Sequence, residues 1–335
     1  MQPLVTVLMS VHNGEKWLEQ SIQSILHQTY SNFEFIIVND GSIDDTERII
    51  KDFGKIDSRI ILINKKNTGL TDSLNFGAGN AKGKWLARID CDDVSHPERI
   101  EKQILIAEAS EKIAVVGTGA ILINEEGLPI SNTIYDYSDN DYKKRLLLGK
   151  SIFPHSSALI NRSLFTSVGG YRVRMKNAQD HDLWLRIGLV GNIICIKEPL
   201  VKIRTHSNQV SQIEGGYNQK IFAHMAHISH QLRKFNFNDP VDASHEHEFS
   251  DFHRWVKSKF DKTRTLKSRQ LITQLKTVLD ERPLTIKNCL YILIKIFNNP
   301  RLIFLHIRDR HYFHKINRQL ALQWMGIHKI LREGK

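Results

Sequence analysis

The stretch Trp85-Leu86-Ala87-Arg88-Ile89-Asp90-Cys91-Asp92-Asp93 decides how this chain is read. An apolar run of strand length ends in carboxylates at positions 90, 92 and 93. Carboxylates held that close repel one another unless a cation lies among them. A hard divalent ion such as Mg²⁺ or Mn²⁺ takes oxygen ligands, commonly one or two carboxylates completed by phosphate oxygens. The run therefore points to a metal–diphosphate site at the end of a strand. Alone, an acidic run is more often a solvated turn capping a helix, here one expected to begin near Pro97, so the surrounding chain has to decide.

Residues 4–9 form a short apolar run that ends in Ser10-Val11-His12-Asn13-Gly14, and Trp17, Ile22, Ile25 and Leu26 then recur at helical spacing. Residues 33–38 read as a second strand closed by Asn39-Asp40-Gly41-Ser42, with a helix over 45–53, and residues 59–63 as a third strand before Asn67-Thr68-Gly69. Residues 77–84 lead into the strand 85–89. Residues 113–123 read as a core strand, and 157–173 as a strand and helix ending in Gly169-Gly170-Tyr171. Gln179-Asp180-His181-Asp182-Leu183-Trp184 opens a further helix that either aspartate would cap. This alternation predicts an α/β fold with a mostly parallel central sheet covered on both faces. Ligands of such sheets gather at the carboxyl ends of strands, which aligns His12, Asp40, Asn67 and Asp90 on one rim. Gly77, Gly79 and Gly83 precede a strand instead of following one, which excludes a dinucleotide fingerprint.

The charge is unevenly spread. Residues 1–219 carry 25 Lys+Arg against 26 Asp+Glu, net −1, whereas residues 220–335 carry 22 against 10, net +12. Ten of the sixteen histidines lie in that second part, where the pattern changes to helices over 219–235, 245–260, 265–279, 284–297 and 321–331. Apolar side chains interleaved with lysine and arginine between Ile286 and Phe313 suit an anionic membrane surface; a helical subdomain or homodimer contact with a solvated basic face suits them equally. Cys91, Cys195 and Cys289 are too few and too scattered for a disulfide framework or a zinc site. Residues 1–9 have no basic leader and meet His12 too early for a signal peptide. No run reaches the roughly 20 apolar residues of a membrane span. The expected setting is cytoplasmic, with room for peripheral contact at the inner face of the membrane. The expected division is 1–100 and 101–215 as two halves of one catalytic domain, followed by a basic helical region over 216–335.

Residues 5–13, Asn39-Asp40-Gly41-Ser42, Asn67-Thr68-Gly69, Ala81-Lys82-Gly83-Lys84, Asp90-Cys91-Asp92-Asp93 and Gln179-Asp180-His181-Asp182-Leu183-Trp184 occur in the order of a family 2 glycosyltransferase, which this chain resembles over residues 4–213. The resemblance is to bacterial enzymes of capsule, lipopolysaccharide and exopolysaccharide synthesis. It implies the GT-A fold and an inverting transfer from a nucleotide-diphosphate sugar, with UDP favoured. The acceptor it implies is a saccharide or lipid-linked saccharide, and the cofactor a divalent metal, Mn²⁺ or Mg²⁺. Ser10, His12, Asp40 and Asn67 would face the nucleoside, and Arg88 and Asp90 the rest of the donor. Asp92 and Asp93 would hold the metal, Asp180 would be the catalytic base, and Gln179, Trp184 and His155 would lie on the acceptor side. Arg204 and His206, in the late basic segment, would meet the diphosphate. His12 stands where the family often has Tyr, and Gln179 where it usually has Glu.

The chemistry is consistent with these groups. Negative charge develops on the leaving diphosphate, where a cation stabilises it, and the attacking hydroxyl needs a carboxylate to take its proton. Two other readings compete. A sugar-phosphate nucleotidyltransferase shares the metal and nucleotide, but residues 10–14 lack its Gly-rich, Arg-bearing phosphate loop. A nucleic-acid-binding protein would rest on the basic tail alone, because the first 219 residues are net acidic; no nucleic-acid partner is expected.

Overall fold

In the computed structural model, which describes residues 4–135, 139–207, 209, 216–262 and 317–326, the first apolar run is β1 (Val5–Val11), buried along its whole length. It pairs in parallel with β2 (Phe33–Asp40), and β2 pairs in parallel with β3 (Ile60–Lys65). On its other side β1 runs parallel to β4 (Trp85–Arg88). The continuous apolar character of β1 and β2 is that of strands covered on both faces.

Beyond β4 the sheet mixes directions. The later strands are β5 (Val94–Ser95), β6 (Ile113–Ile123), β7 (Pro129–Thr133), β8 (Leu159–Asn161) and β9 (Asn192–Arg204). The order is β3-β2-β1-β4-β8-β6-β9-β5, with β7 beside β6. The pairs β4–β8, β6–β8, β6–β7 and β5–β9 are antiparallel, while β6–β9 is parallel. The expected parallel arrangement thus describes the first four strands. β7 follows β6 after a five-residue turn, too short for the crossover that a parallel neighbour requires.

Helices α1 (Glu15–Leu26), α2 (Thr46–Ile56) and α4 (Arg99–Ala107) lie where apolar spacing predicts them. α1 buries Leu18, Ile22 and Ile25 completely, each contributing about 1.5–3 kcal/mol of apolar burial. Its first amides are capped from the start of α2: Thr46 Oγ1 accepts from Gly14 N–H at 2.9 Å and Asp44 Oδ2 from Glu15 N–H at 3.1 Å. Glu15 Oε2 returns the contact by accepting from Asp45 N–H at 2.9 Å. The two helix starts therefore brace each other beside His12 and Asn13.

α3 (Leu70–Asn80) is not anticipated from the sequence, because Gly77 and Gly79 lower its helical propensity. Packing supplies the reason for Gly77: a Cβ there would strike Leu8 Cδ1 and come within 3.0 Å of Val38 Cγ2, so the glycine lets α3 lie close on β1 and β2. The remaining helices are α5 (Asp139–Leu147), α6 (Arg162–Ser167), α7 (Gln179–Ile187), α8 (Tyr217–Lys234) and α9 (Glu246–Lys262).

By contact, residues 1–146 and 150–226 form one compact unit, and residues 147–149 and 227–335 a second. In the second, Phe252 and Trp255 of α9 pack on Trp324 of the helical stretch 317–326, with ring centroids 5.0 and 5.1 Å apart. The helices expected over 265–279 and 284–297 lie outside the described residues, as does part of the one over 321–331.

Candidate active site

The carboxyl ends of β1, β2 and β4 open onto one rim. Asp40, 2% exposed at the end of β2, accepts hydrogen bonds from Lys65 Nζ at 2.8 Å, Thr68 N–H at 3.0 Å and Gly69 N–H at 2.8 Å. Burial by itself would raise the Asp40 carboxyl, but these donors hold it below the usual carboxylate range. The ionised side chain thereby fixes the loop after β3. His12 Nδ1 lies 3.0 Å from the Asp40 carbonyl oxygen, and the Asn67 amide lies 3.1 and 3.2 Å from the two ring nitrogens of His12. His12 and Asn67 are exposed and Ser10 is buried below them. Of the residues expected to face the nucleoside, His12, Asp40 and Asn67 therefore lie together.

The acidic turn after β4 divides its carboxylates among different partners. Asp90 pairs with Arg88, and its second oxygen accepts from Ser156 Oγ at 2.7 Å. Burial again pushes upward, and Arg88 with His155 and Ser156 outweighs it, leaving Asp90 below its ordinary value. Asp93 is 3% exposed, and its Oδ1 accepts from the backbone N–H of Arg204 at 2.9 Å. Beside it lies Arg99, fully buried, which donates to the Ser156 carbonyl at 2.7 Å. Asp92 has no arginine; its Oδ2 lies 2.9 Å from Nε2 of His206. Burial and then the Asp90 charge raise the Asp92 carboxyl. Burial, Asp92 and Asp90 raise Asp93 further.

This division tests whether a divalent cation suits the site. Arg88 pairs with Asp90 and the Arg99 charge lies near Asp93, whereas among the described residues Asp92 forms no ion pair with a lysine or arginine and its carboxylate meets the His206 ring. Asp92 and His206 together offer one oxygen and one imidazole nitrogen. Among the described residues no group of three or more His, Cys, Asp or Glu is disposed to hold a metal ion. A hard ion that keeps most of its positions for diphosphate and water fits a pair of protein ligands.

Three residues expected at the substrate are interior. Arg88, 1% exposed, donates to Asp90 and to the Ile89 carbonyl. Arg204, also 1% exposed, donates from Nε to the Asp92 carbonyl at 3.0 Å, from Nη1 to the carbonyls of Asn124 at 3.2 Å and Glu125 at 2.8 Å, and from Nη2 to Gln20 Oε1 at 2.5 Å. It clamps α1, the acidic turn and the β6–β7 turn together. Trp184 is 2% exposed, its ring edge-on to Phe153 and His155 at 5.2 and 6.2 Å, so it packs behind His155. Asp93 is likewise turned inward.

Asp180 and Gln179 stand on the first turn of α7, both half-buried. Burial raises the Asp180 carboxyl, the N–H groups of its own residue and His181 offset part of that, and the Asp90 charge adds to it. A carboxylate with raised proton affinity is suited to act as a general base. Asp182, two residues on, is 1% exposed and pairs with both Arg172 and Arg186, which hold it below its ordinary value against the effect of burial. Asp182 is therefore matched by two arginines, whereas Asp180 forms no ion pair among the described residues. His155 Nε2 lies 2.6 Å from the Tyr171 hydroxyl. Burial and then Arg88 push His155 down to about 3, so it is neutral.

Sequence reading missed Lys65, Arg99, Ser156 and Tyr171. One signal was available: adjacent parallel strands place Lys65 opposite Asp40 in register.

Residues 6–169 match glycosyl transferase family 2. An uncharacterized glycosyltransferase of Haemophilus influenzae is 34% identical over 228 residues, covering 63% of this chain and 68% of the relative. The O-antigen biosynthesis glycosyltransferase WbnJ of Escherichia coli is 35% identical over 185 residues, covering 55% and 71%. Two solved structures share the fold. Staphylococcus aureus TarS with UDP-GlcNAc has a TM-score of 0.58 at 13% identity, covering 96% of this chain and 92% of TarS. The mannosyltransferase PcManGT of Pyrobaculum calidifontis, with GDP-Man and Mn²⁺, has a TM-score of 0.54 at 14% identity, covering 95% and 88%.

Proposed function

The chain belongs to glycosyl transferase family 2 and is a glycosyltransferase of the GT-A fold, and from that premise we propose an inverting, cation-assisted transfer from a nucleotide-diphosphate sugar to a hydroxyl of a saccharide or lipid-linked saccharide. The observation that carries this reading is the contrast between paired and unpaired carboxylates. Asp40, Asp90 and Asp182 each form an ion pair with a lysine or arginine, whereas among the described residues Asp92 and Asp180 form none, and Arg88, committed to Asp90, acts on Asp180 more weakly than burial does. Asp92 suits a cation on the leaving side and Asp180 a proton on the attacking side.

His12, Asp40 and Asn67 bind the nucleoside, with Ser10 below. Asp92 and His206 would hold the divalent ion, Mn²⁺ or Mg²⁺, which when bound stabilises charge on the departing diphosphate. Asp180 accepts the proton of the acceptor hydroxyl as it attacks the anomeric carbon, and its raised proton affinity helps that step. Gln179 and His155 orient the acceptor. Base and leaving group on opposite faces of the sugar give inversion. Residues 1–100 serve the donor and 101–215 the acceptor. The family habit favours UDP; the solved structures of the same fold hold UDP-GlcNAc in one case and GDP-Man in the other. The kinship to WbnJ supports a place in surface polysaccharide synthesis.

No helix among the described residues is long and apolar enough to cross a membrane. The +12 charge of residues 220–335 supports contact with the anionic inner face of the membrane.

The reading is tested by a thermal-shift panel of UDP-, GDP- and dTDP-sugars with Mn²⁺, since a ligand of the native state raises the melting temperature. A shift by one class identifies the donor, and no shift by any class removes the assignment. Retained anomeric configuration in the product, read by NMR, would exclude inversion.

A further inference from the structure

Tyr171 follows Gly169 and Gly170, whose φ values of +82° and +63° turn the chain sharply out of α6 toward α7. At that turn the Asn75 side chain of α3 grips the Tyr171 backbone from both sides. Asn75 Nδ2 donates to the Tyr171 carbonyl at 2.6 Å, and Asn75 Oδ1 accepts from the Tyr171 N–H at 2.9 Å. A Cβ on Gly170 would sit 2.8 Å from Asn75 Oδ1, so glycine is needed for the approach as well as for the turn. Two hydrogen bonds from one amide to one residue copy the pairing of neighbouring strands and fix rotation as well as distance.

From this anchor the chain reaches both sides of the site. The Tyr171 hydroxyl meets His155, whose neighbour Ser156 holds Asp90 through its N–H at 3.0 Å and its carboxylate at 2.7 Å. Arg172 pairs with Asp182, two residues beyond Asp180 on the same turn of α7. We propose that Asn75 is a positioning residue for the transfer reaction: its clasp on Tyr171 registers the base Asp180 against the donor-side carboxylates. Asn75 touches no substrate; it acts through Tyr171 and Arg172. The proposal rests on the transferase reading only for its catalytic consequence, because the clasp itself is measurable without substrate.

The experiment compares wild type with Asn75→Ala, which removes both bonds, Asn75→Asp, which keeps only the acceptor, and Leu74→Ala, which weakens α3 packing but leaves the clasp. Hydrogen exchange is expected to rise about tenfold at amides 168–182 in Asn75→Ala, less in Asn75→Asp, and not locally in Leu74→Ala. Release of nucleoside diphosphate from UDP-GlcNAc, UDP-glucose and GDP-mannose provides the second readout. Asn75→Ala should lower kcat at least about tenfold with donor KM little changed, while Leu74→Ala lowers the melting temperature and keeps kcat. Unaltered exchange at 168–182 in both Asn75 variants overturns the clasp. Altered exchange with unchanged kcat overturns the positioning role, as does an equal kcat loss in Leu74→Ala. If wild type turns over none of the donors, the donor assignment fails while the exchange result still stands; Asn75→Asp serves if Asn75→Ala does not fold.

Discussion

His206 Nε2 and Asp92 Oδ2 lie 2.9 Å apart, bringing a residue beyond the end of β9 onto the acidic turn that follows β4. This pair, and not Asp93, should govern cation-dependent nucleotide binding. Asp92→Ala and His206→Ala are each expected to melt close to wild type and to lose most of the Mn²⁺-dependent gain in UDP or GDP affinity, read by calorimetry with and without the ion. Asp93→Ala should instead be destabilised by about 1–3 kcal/mol, because it leaves the buried Arg204 N–H without its acceptor. Equal losses of stability in all three variants would refute the distinction.

Asp180 and Asp182 should separate chemistry from folding. Asp180→Asn is expected to lower transfer about 10²–10⁴-fold with donor binding retained. Asp182→Asn leaves Arg172 and Arg186 without their carboxylate and should reduce stability by about 3–5 kcal/mol. Activity and melting temperature of the two variants, measured side by side, check this; an inactive, fully stable Asp182→Asn would reverse the roles.

Acid should weaken the fold in two stages. His155 is depressed to about 3 by burial and Arg88, against about 6.5 unfolded. Its contribution is complete above about pH 6.5 and is lost progressively as pH falls toward 3. Asp40 and Asp182 are held below their ordinary values, so theirs is present above about pH 4 and lost below it. Between pH 6.5 and 4.5 His155 should therefore make the melting temperature decline, against an opposing gain from Asp92, Asp93 and Asp180, whose carboxyls are raised in the fold. His155→Gln, which keeps a partner for the Tyr171 hydroxyl, should flatten that decline; an unchanged slope would show that other groups cause it.

Gly77→Ala sets two physical arguments against each other. Helix propensity alone favours alanine by about 1 kcal/mol. The added methyl meets Leu8 and Val38, and overpacking of this kind costs about 1–3 kcal/mol. A lower melting temperature is expected, whereas a rise would mean that α3 moves off the sheet at little cost.

The parts legible in the sequence are those where local pattern and tertiary environment agree. β1 and β2 read as strands because both their faces are apolar and buried, and α1 because Leu18, Ile22 and Ile25 fall on one face. α3 was hidden because Gly77 serves close packing at the expense of propensity. β9 was hidden because Lys197, Glu198 and Pro199 interrupt its apolar run where its register with β6 shifts. Within the site, the order of motifs brought His12, Asp40 and Asn67 to one rim. Which carboxylate goes without a lysine or arginine was not legible, since Arg88 and Lys65 are assigned to Asp90 and Asp40 only by the fold. Arg204 shows the same limit: sequence presents a cation near a diphosphate site, while the fold surrounds it with carbonyl oxygens.

Arg204 grips residues 124 and 125 by their carbonyls and not by their side chains. Any amino acid at those two positions offers the same oxygen. The hairpin they begin is therefore free to diverge, or to be exchanged for that of a relative, while its root stays fixed beside the acidic turn. Residues 126–134 are therefore the segment whose sequence can be replaced while the anchoring of the acidic turn through Arg204 is kept.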